Sequence, residues 1–288
     1  MNLSEKNILL TGATGGIGVY ISRLLAQQGA KLSLVAYPGH HLDKLSKELR
    51  NQSPKVIWFD QDLREDSGIN HVITHTQEQM GPIDILINNA GIESTAPYHT
   101  LDAESIDSIL RCNLRAPLFL SHQILKDMYA RNEGCIINIS SLAGKSGPSC
   151  QEVYAATKAG LIGFTQSLRA TYRKTGVNAS VICPGFVEAG IYDRLKTQTG
   201  LPAPKLLGPS RPERVGEAVI RAIKDDLPEL IINPIPVRPL FAISTLFTRF
   251  GEWLTSLTGA HAFFDRSAEI LKSGSHPSDE TKQQSPEK

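Results

Sequence analysis

Lys6-Asn-Ile-Leu-Leu-Thr11-Gly12-Ala-Thr14-Gly-Gly16-Ile17-Gly18 is the stretch on which the fold turns. A short apolar run ends in a glycine-rich turn, after which Ile17, Tyr20, Ile21, Leu24 and Leu25 recur at helical spacing. The order strand, glycine turn, helix brings backbone N–H groups and the positive end of a helix to face a diphosphate, where a side chain would block close approach. A tight turn with no ligand uses the same glycines, so the turn alone leaves both readings open.

Outward from this turn, strands and helices alternate. Apolar runs at 31–36, 55–59, 83–87, 135–139, 177–183 and 229–232 read as strands. Segments at 41–49, 65–80, 152–174 and 213–224 read as helices, and 102–131 reads as one long helix kinked by Pro117. This alternation implies an α/β fold, a doubly wound parallel sheet with helices on both faces. Without a Gly/Ser-rich linker, residues 1–233 are expected to form a single domain, in which the Pro-, Gly- and Thr-rich stretch at about 186–212 is a substrate loop. Pro234-Ile-Pro-Val-Arg-Pro239 breaks the pattern, and residues 234–272 form an apolar helical extension. Residues 273–288 are polar and aperiodic and are expected to be disordered.

Composition narrows the function. The 288 residues carry a formal net charge of +1 with both signs interspersed, which argues against a nucleic-acid surface and for a small-molecule partner. Cys112, Cys135, Cys150 and Cys183 lack the close pairing of a metal site, so no metal is expected and the thiols read as reduced. The N-terminus lacks the pattern of a secretory signal, and the expected location is the cytoplasm. Leu240, Ile243, Phe247, Phe250, Leu254 and Leu257 recur at helical spacing, but Arg249 and Glu252 make the segment too polar to span a bilayer. It is expected to pack on the core or on a second subunit; the second reading lays 240–257 on a membrane surface as a peripheral contact.

Tyr154 and Lys158 lie four apart, on one face of the helix expected there. A free tyrosine holds its proton up to a pKa of about 10 and works near neutrality only when a nearby cation favours the phenolate. A solvated helix face shows the same pair, so the surrounding motifs decide. Gly12, Gly16 and Gly18 fit a TGxxxGxG pattern, Asn88-Asn89-Ala90-Gly91 follows the run at 83–87, and Ser141 lies thirteen residues before Tyr154. With these motifs in order, the chain resembles the short-chain dehydrogenase/reductase family over roughly residues 6 to 232.

The resemblance implies a Rossmann-type fold, a homo-oligomer, and hydride exchange between nicotinamide and a carbonyl or secondary alcohol. It implies Tyr154 as the acid/base, Ser141 rather than Ser140 as its partner on the substrate oxygen, Lys158 favouring the phenolate and bonding the ribose, and Asn113 holding a water beside the lysine. For the cofactor, NAD(P)(H), it implies Gly12, Thr14, Gly16, Ile17 and Gly18 at the diphosphate, and Asp62 and Leu63 at the adenine. Asn89, Ala90 and Gly91 then lie along the ribose, and Pro184, Gly185 and Val187 at the nicotinamide, together with Tyr154 and Lys158. Two departures stand out. After the run at 31–36 the chain has Tyr37-Pro38, neither the acid that suits NAD nor the arginine that suits NADP. Lacking the acid, the site leans slightly to NADP, with His40, His41 and Lys44 as further cations. The family's PGxxxT is here Pro184-Gly185-Phe186-Val187-Glu188-Ala189, without the threonine. Phe186, Ile191, Tyr192, Leu195, Leu206 and Leu207 suggest an apolar roof and an apolar substrate. The alternative function is a nucleotide-binding regulator or scaffold without turnover, since a fold does not fix a function.

Overall fold

In β1 (Asn7–Thr11), Ile8 and Leu10 pack to one side and Leu9 to the other, all fully buried. Alternating burial of this kind marks a strand covered on both faces. The computed structural model describes residues 1–274, and the first two residues of the expected tail belong to it, closing the last helix; 275–288 lie outside the described residues. β1 is followed by β2 (Lys31–Ala36), β3 (Val56–Asp60), β4 (Ile85–Asn88), β5 (Gly134–Ile139), β6 (Val177–Pro184) and β7 (Glu229–Ile232). They form one sheet in the order β3-β2-β1-β4-β5-β6-β7, every pair parallel.

Helices α1 (Gly16–Gln27), α2 (Leu42–Leu49) and α8 (Glu213–Asp225) bury their apolar stripes against one face, with Ile21, Leu25, Leu45, Leu49, Val215 and Val219 meeting the even-numbered residues of β1. Helices α3 (Asp66–Met80), α5 (Ala116–Arg131) and α6 (Glu152–Tyr172) cover the other, Ile69, Val72, Leu120, Ile124 and Met128 packing under Leu9. The strand order reverses between β1 and β4, so the loops at their carboxyl ends diverge and leave a crevice. The glycine turn and Asn89-Ala90-Gly91 both sit at that point.

The long helix expected over 102–131 is three pieces. α4 (Ala103–Leu110) runs into a π-helical turn, Arg111–Arg115, and then into α5. The break lies just ahead of Pro117 rather than being a bend centred on it. Pro117 has no N–H to give to the carbonyl four residues back, which is that of Asn113, and the wider turn accommodates the unmatched acceptor.

Beyond the sheet, α7 (Ile191–Thr199) lies in the substrate loop, and α9 (Arg238–Leu246), α10 (Thr248–Ser256) and α11 (Ala260–Ser273) follow β7. The single apolar segment expected over 240–257 is thus a helical hairpin. It breaks at Phe247, whose backbone leaves the helical region (φ −127°, ψ 81°). α9 and α10 cross at Ser244 and Gly251, where a Cβ on Gly251 would sit 2.4 Å from the Ser244 Cα. Small residues hold the hairpin together and leave its large ones facing outward. Leu246, Phe247, Phe250, Trp253 and Leu257 are each at least half exposed. Within 240–257 the expected packing on the core is met in part by Phe241 but not by this outer face; Phe263 and Ala268 of α11, beyond that segment, are buried.

Candidate active site

The glycine turn is shaped by what surrounds it. Gly12 has φ +66°, and a Cβ there would lie 2.7 Å from the Ala90 Cα; a Cβ on Gly18 would lie 2.1 Å from the Gly12 oxygen. The first position therefore needs glycine for its conformation and the second for close helix–strand packing. At Gly16, a Cβ would meet the Gly190 nitrogen at 2.1 Å, so the loop after β6 crosses directly over the turn. The start of α1 has neither a side-chain cap nor an acidic residue in its first turn, and the Thr14 side chain stands beside it, half-buried. Its free N–H groups and bare backbone suit a diphosphate. The fold thus has a cradle that fits a dinucleotide.

Asn89 ties the second motif to the first. Its Nδ2 donates to the Thr11 oxygen (3.1 Å) and the Gly12 oxygen (2.9 Å), while the Thr11 hydroxyl accepts from the backbone of Asn89 (3.0 Å) and Ala90 (3.1 Å). Asn88 points the other way, into the core, and donates to Asn138 (2.8 Å). The paired asparagines thus lock the ends of β1 and β4 together and leave Gly91 as open floor.

Ser141, Tyr154 and Lys158 line one cavity of about 180 Å³, with Ile17, Asn89, Gly91, Pro184, Gly185 and Val187 in the same wall. Ser140 lines it too, but its hydroxyl donates to the Lys158 backbone oxygen (2.7 Å), whereas the Ser141 hydroxyl makes a longer 3.4 Å bond to the Pro184 oxygen, accepts from the Ala143 N–H (3.1 Å) and lies near enough to the Tyr154 phenol to oppose its rise in pKa. That division of labour favours Ser141 over Ser140. The Lys158 ammonium is buried, donates to the Ile139 oxygen (2.9 Å) and lies 5.5 Å from the centre of the Tyr154 ring.

Burial dominates the electrostatics. It pushes Tyr154 up to about 12, opposed by the Ser141 bond, and Lys158 down to about 8. The expected lowering of the phenol by Lys158 is not present. At neutral pH the pair rests as phenol and ammonium.

Asn113 occupies the π-turn and is fully buried. Its Oδ1 accepts from the Ile92 N–H (2.9 Å) and its Nδ2 donates to the Ile92 oxygen (2.8 Å), so it clamps the chain just after Gly91. A Cβ on Gly91 would lie 3.5 Å from both the Asn113 Oδ1 and the Lys158 Nζ, which brings the two side chains together at that face of the glycine. The amide is engaged with backbone at both ends and keeps one lone pair of Oδ1.

After β3, Leu63 turns its side chain into the core and would offer a ligand only its backbone. Asp62 is held by Arg64, whose Nη2 donates to Oδ2 at 2.7 Å and Nε to Oδ1 at 3.0 Å, and this keeps its carboxyl below the usual range. Arg64 is a residue that sequence reasoning missed. Its guanidinium lies 5.3 Å from the Tyr37 ring centre and 3.4 Å from the Tyr37 hydroxyl, so β3 delivers to the end of β2 the cation that β2 lacks. Its position two residues after Asp62 was the available signal, but only the pairing of β2 with β3 makes it a neighbour of Tyr37.

The cavity wall is mostly apolar. Phe186, Ile191, Tyr192, Leu195 and Leu207 line it as expected; Leu206 does not, being nearly half exposed in an outer groove. Unforeseen is the contribution of the C-terminal helices, with Leu240, Phe241, His261 and Phe264 closing the cavity opposite the sheet. Ala189, in the place of the family threonine, also lines it.

Comparison with known proteins agrees with this geometry. The chain is 40% identical over 235 residues to the ketoacyl reductase HetN of Nostoc sp. (strain PCC 7120), covering 82% of this chain and 81% of that one. It is 30% identical over 229 residues to the 3-oxoacyl-[acyl-carrier-protein] reductase FabG of Thermotoga maritima, covering 78% and 93%. A metagenomic short-chain oxidoreductase solved in complex with NADP superposes with a TM-score of 0.69 at 28% identity, covering 82% of this chain and all of that one. The family model described as short chain dehydrogenase matches residues 6–200. The chain belongs to the short-chain dehydrogenase/reductase family of oxidoreductases, which act on C=O and CH–OH groups and bind NAD(P)(H).

Proposed function

We propose that the protein reduces the carbonyl group of an apolar substrate with Tyr154 as proton donor. The observation that carries this reading is the convergence of half-buried Ser141 and Tyr154 and buried Lys158 in the wall of an apolar cavity that also reaches the glycine turn. The nicotinamide, when bound, supplies the hydride. Tyr154 gives its proton to the substrate oxygen while the Ser141 hydroxyl bonds the same atom. Lys158, charged below about pH 8, favours the phenolate as it forms. Asn113 holds the Ile92 backbone and so fixes the floor beside the lysine. A resting phenol and ammonium are the protonation states from which a proton can be given to a carbonyl oxygen.

Gly12, Thr14, Gly16, Ile17 and Gly18 would hold the diphosphate, Asp62 the adenine, Asn89, Ala90 and Gly91 the ribose, and Pro184, Gly185 and Val187 the nicotinamide. Arg64 beside Tyr37 supports NADP(H), since a ribose phosphate there would meet a guanidinium; Asp62 offsets part of that charge. The relatives named as ketoacyl and oxoacyl reductases support a substrate with an oxygen besides the reacting one.

No helix among the described residues is long and apolar enough to cross a membrane. The outer face of α9 and α10 nonetheless supports a peripheral lipid contact, because Phe247, Phe250 and Trp253 form an exposed aromatic surface on the helices that close the cavity. A homo-oligomer in the cytoplasm remains part of the same reading.

The experiment is a fluorescence titration of the full chain with NADPH and NADH, followed by turnover of apolar ketones with and without anionic liposomes. Expected are tighter binding of NADPH, its consumption by at least one ketone, and co-sedimentation that is lost when Phe247, Phe250 and Trp253 are all changed to serine. Cofactor binding with no turnover across a broad ketone panel would overturn the catalytic reading, and unchanged sedimentation of the triple variant the lipid one.

A further inference from the structure

His261, second residue of α11, lines the substrate cavity and is hydrogen-bonded on one side only. Its Nδ1 accepts from the backbone N–H of Ser149 (3.3 Å) and lies 3.0 Å from the Ser149 hydroxyl. A ring nitrogen that accepts from a backbone N–H carries no proton itself, so the ring is the neutral tautomer with its proton on Nε2. With Nδ1 turned to Ser149, Nε2 is the nitrogen left for the cavity, and it has no hydrogen bond among the described residues.

The other polar side chains in this part of the wall are engaged or undirected. Thr255 and Thr258 donate their hydroxyls to backbone oxygens of their own segment, and Gln151 donates its amide to Glu93 and Thr95. Ser146 is a hydroxyl rotor with no fixed direction. His261 Nε2–H is thus a donor of fixed orientation in a wall whose other polar side chains are engaged or undirected, held from a different element than Ser141 and Tyr154.

We propose that this Nε2–H is a second substrate contact, donating a hydrogen bond to a substrate oxygen remote from the carbon that reacts at Tyr154. The cavity then selects apolar compounds bearing two oxygens over matched compounds bearing one. The inference rests on the carbonyl-reductase reading for the position of the reacting carbon. The physical reason for selection is that a directed donor in an apolar cavity is left unpaired by a ligand that offers it no acceptor.

The test compares cyclohexane-1,4-dione with cyclohexanone, and ethyl 3-oxohexanoate with 3-hexanone, on the full chain and on His261→Ala and His261→Asn. Wild-type kcat/KM is expected to favour the two-oxygen member of each pair by about tenfold. His261→Ala lowers that ratio several-fold, to the level set by the intrinsic carbonyl reactivity of each pair, while leaving the one-oxygen ketones within about twofold. His261→Asn, whose Oδ1 can accept from Ser149 while Nδ2 donates, restores at least half of the discrimination. If His261→Ala lowers both members equally, the residue only anchors the loop at Ser149 and the proposal fails. Calorimetric titration of the same pairs without cofactor needs no turnover. A wild-type affinity ratio that vanishes in His261→Ala supports the contact even where no ketone is reduced, and equal affinities in the wild type overturn it.

Discussion

The sheet side of the cavity and its C-terminal side are built on opposite principles. On the sheet side, polar groups are held in place by backbone: Asn89 by Thr11 and Gly12, Asn113 by Ile92, Lys158 by Ile139, Ser140 by the helix that carries Lys158. Across from them, Leu240, Phe241 and Phe264 contribute apolar surface, with His261 among them held by Ser149. One wall holds charge and protons at fixed positions, which chemistry needs; the other shapes a space, which selection needs. The two duties are separable because they sit on different segments of the chain.

The largest expected effect belongs to the sheet side. Tyr154→Phe removes the proton donor while keeping the ring, and turnover of every substrate should fall by about 10³-fold or more, with NADPH affinity within about threefold of wild type. Steady-state kinetics beside fluorescence titration measure both, and a loss confined to particular substrates would break the division between the walls.

Lys158→Met sharpens it through stability. The unfolded chain keeps the lysine proton up to about 10.5, whereas burial makes the folded protein release it near 8. Between these values the unfolded state binds more protons, so stability of the wild type rises with pH relative to Lys158→Met. The gain amounts to about 3 kcal/mol at most. Urea unfolding at pH 7.5 and pH 10 reads the slope, and parallel behaviour of the two proteins would mean that the ammonium is not desolvated as described.

Phe264→Ala probes the opposite wall and carries the smallest effect. Phe264 stacks on Phe186 (5.9 Å between ring centres) at the edge of the cavity. Its loss should raise KM for bulky apolar ketones about tenfold, leaving cofactor affinity unchanged and kcat within about threefold. An equal fall in kcat would show that the C-terminal helices position the chemistry as well as the substrate.

Legibility followed the same boundary. The glycine turn, the paired asparagines, Ser141, Tyr154 and Lys158 are readable because each is a local motif whose spacing maps onto one strand end or one helix face. Strand and helix order were readable for the same reason, since each element shows its own period. What local spacing does not carry is contact between distant segments. The π-turn at Asn113 is visible only once the clamp on Ile92 is seen, Arg64 becomes a neighbour of Tyr37 only through the pairing of β2 with β3, and Leu206 and Leu207, adjacent in sequence, part to opposite sides of the wall.

By itself, then, the sequence determined a parallel α/β sheet, the family, and the residues of one wall, because periodicity and motif spacing are properties of short segments. The tertiary structure alone decided that burial, rather than the neighbouring cation, sets the resting protonation of Tyr154. It also decided that α9 to α11 fold back to close the cavity, and that His261 joins its wall with one ring nitrogen held by Ser149. Those outcomes depend on which groups are excluded from water together, and that is settled only when segments far apart in the chain meet.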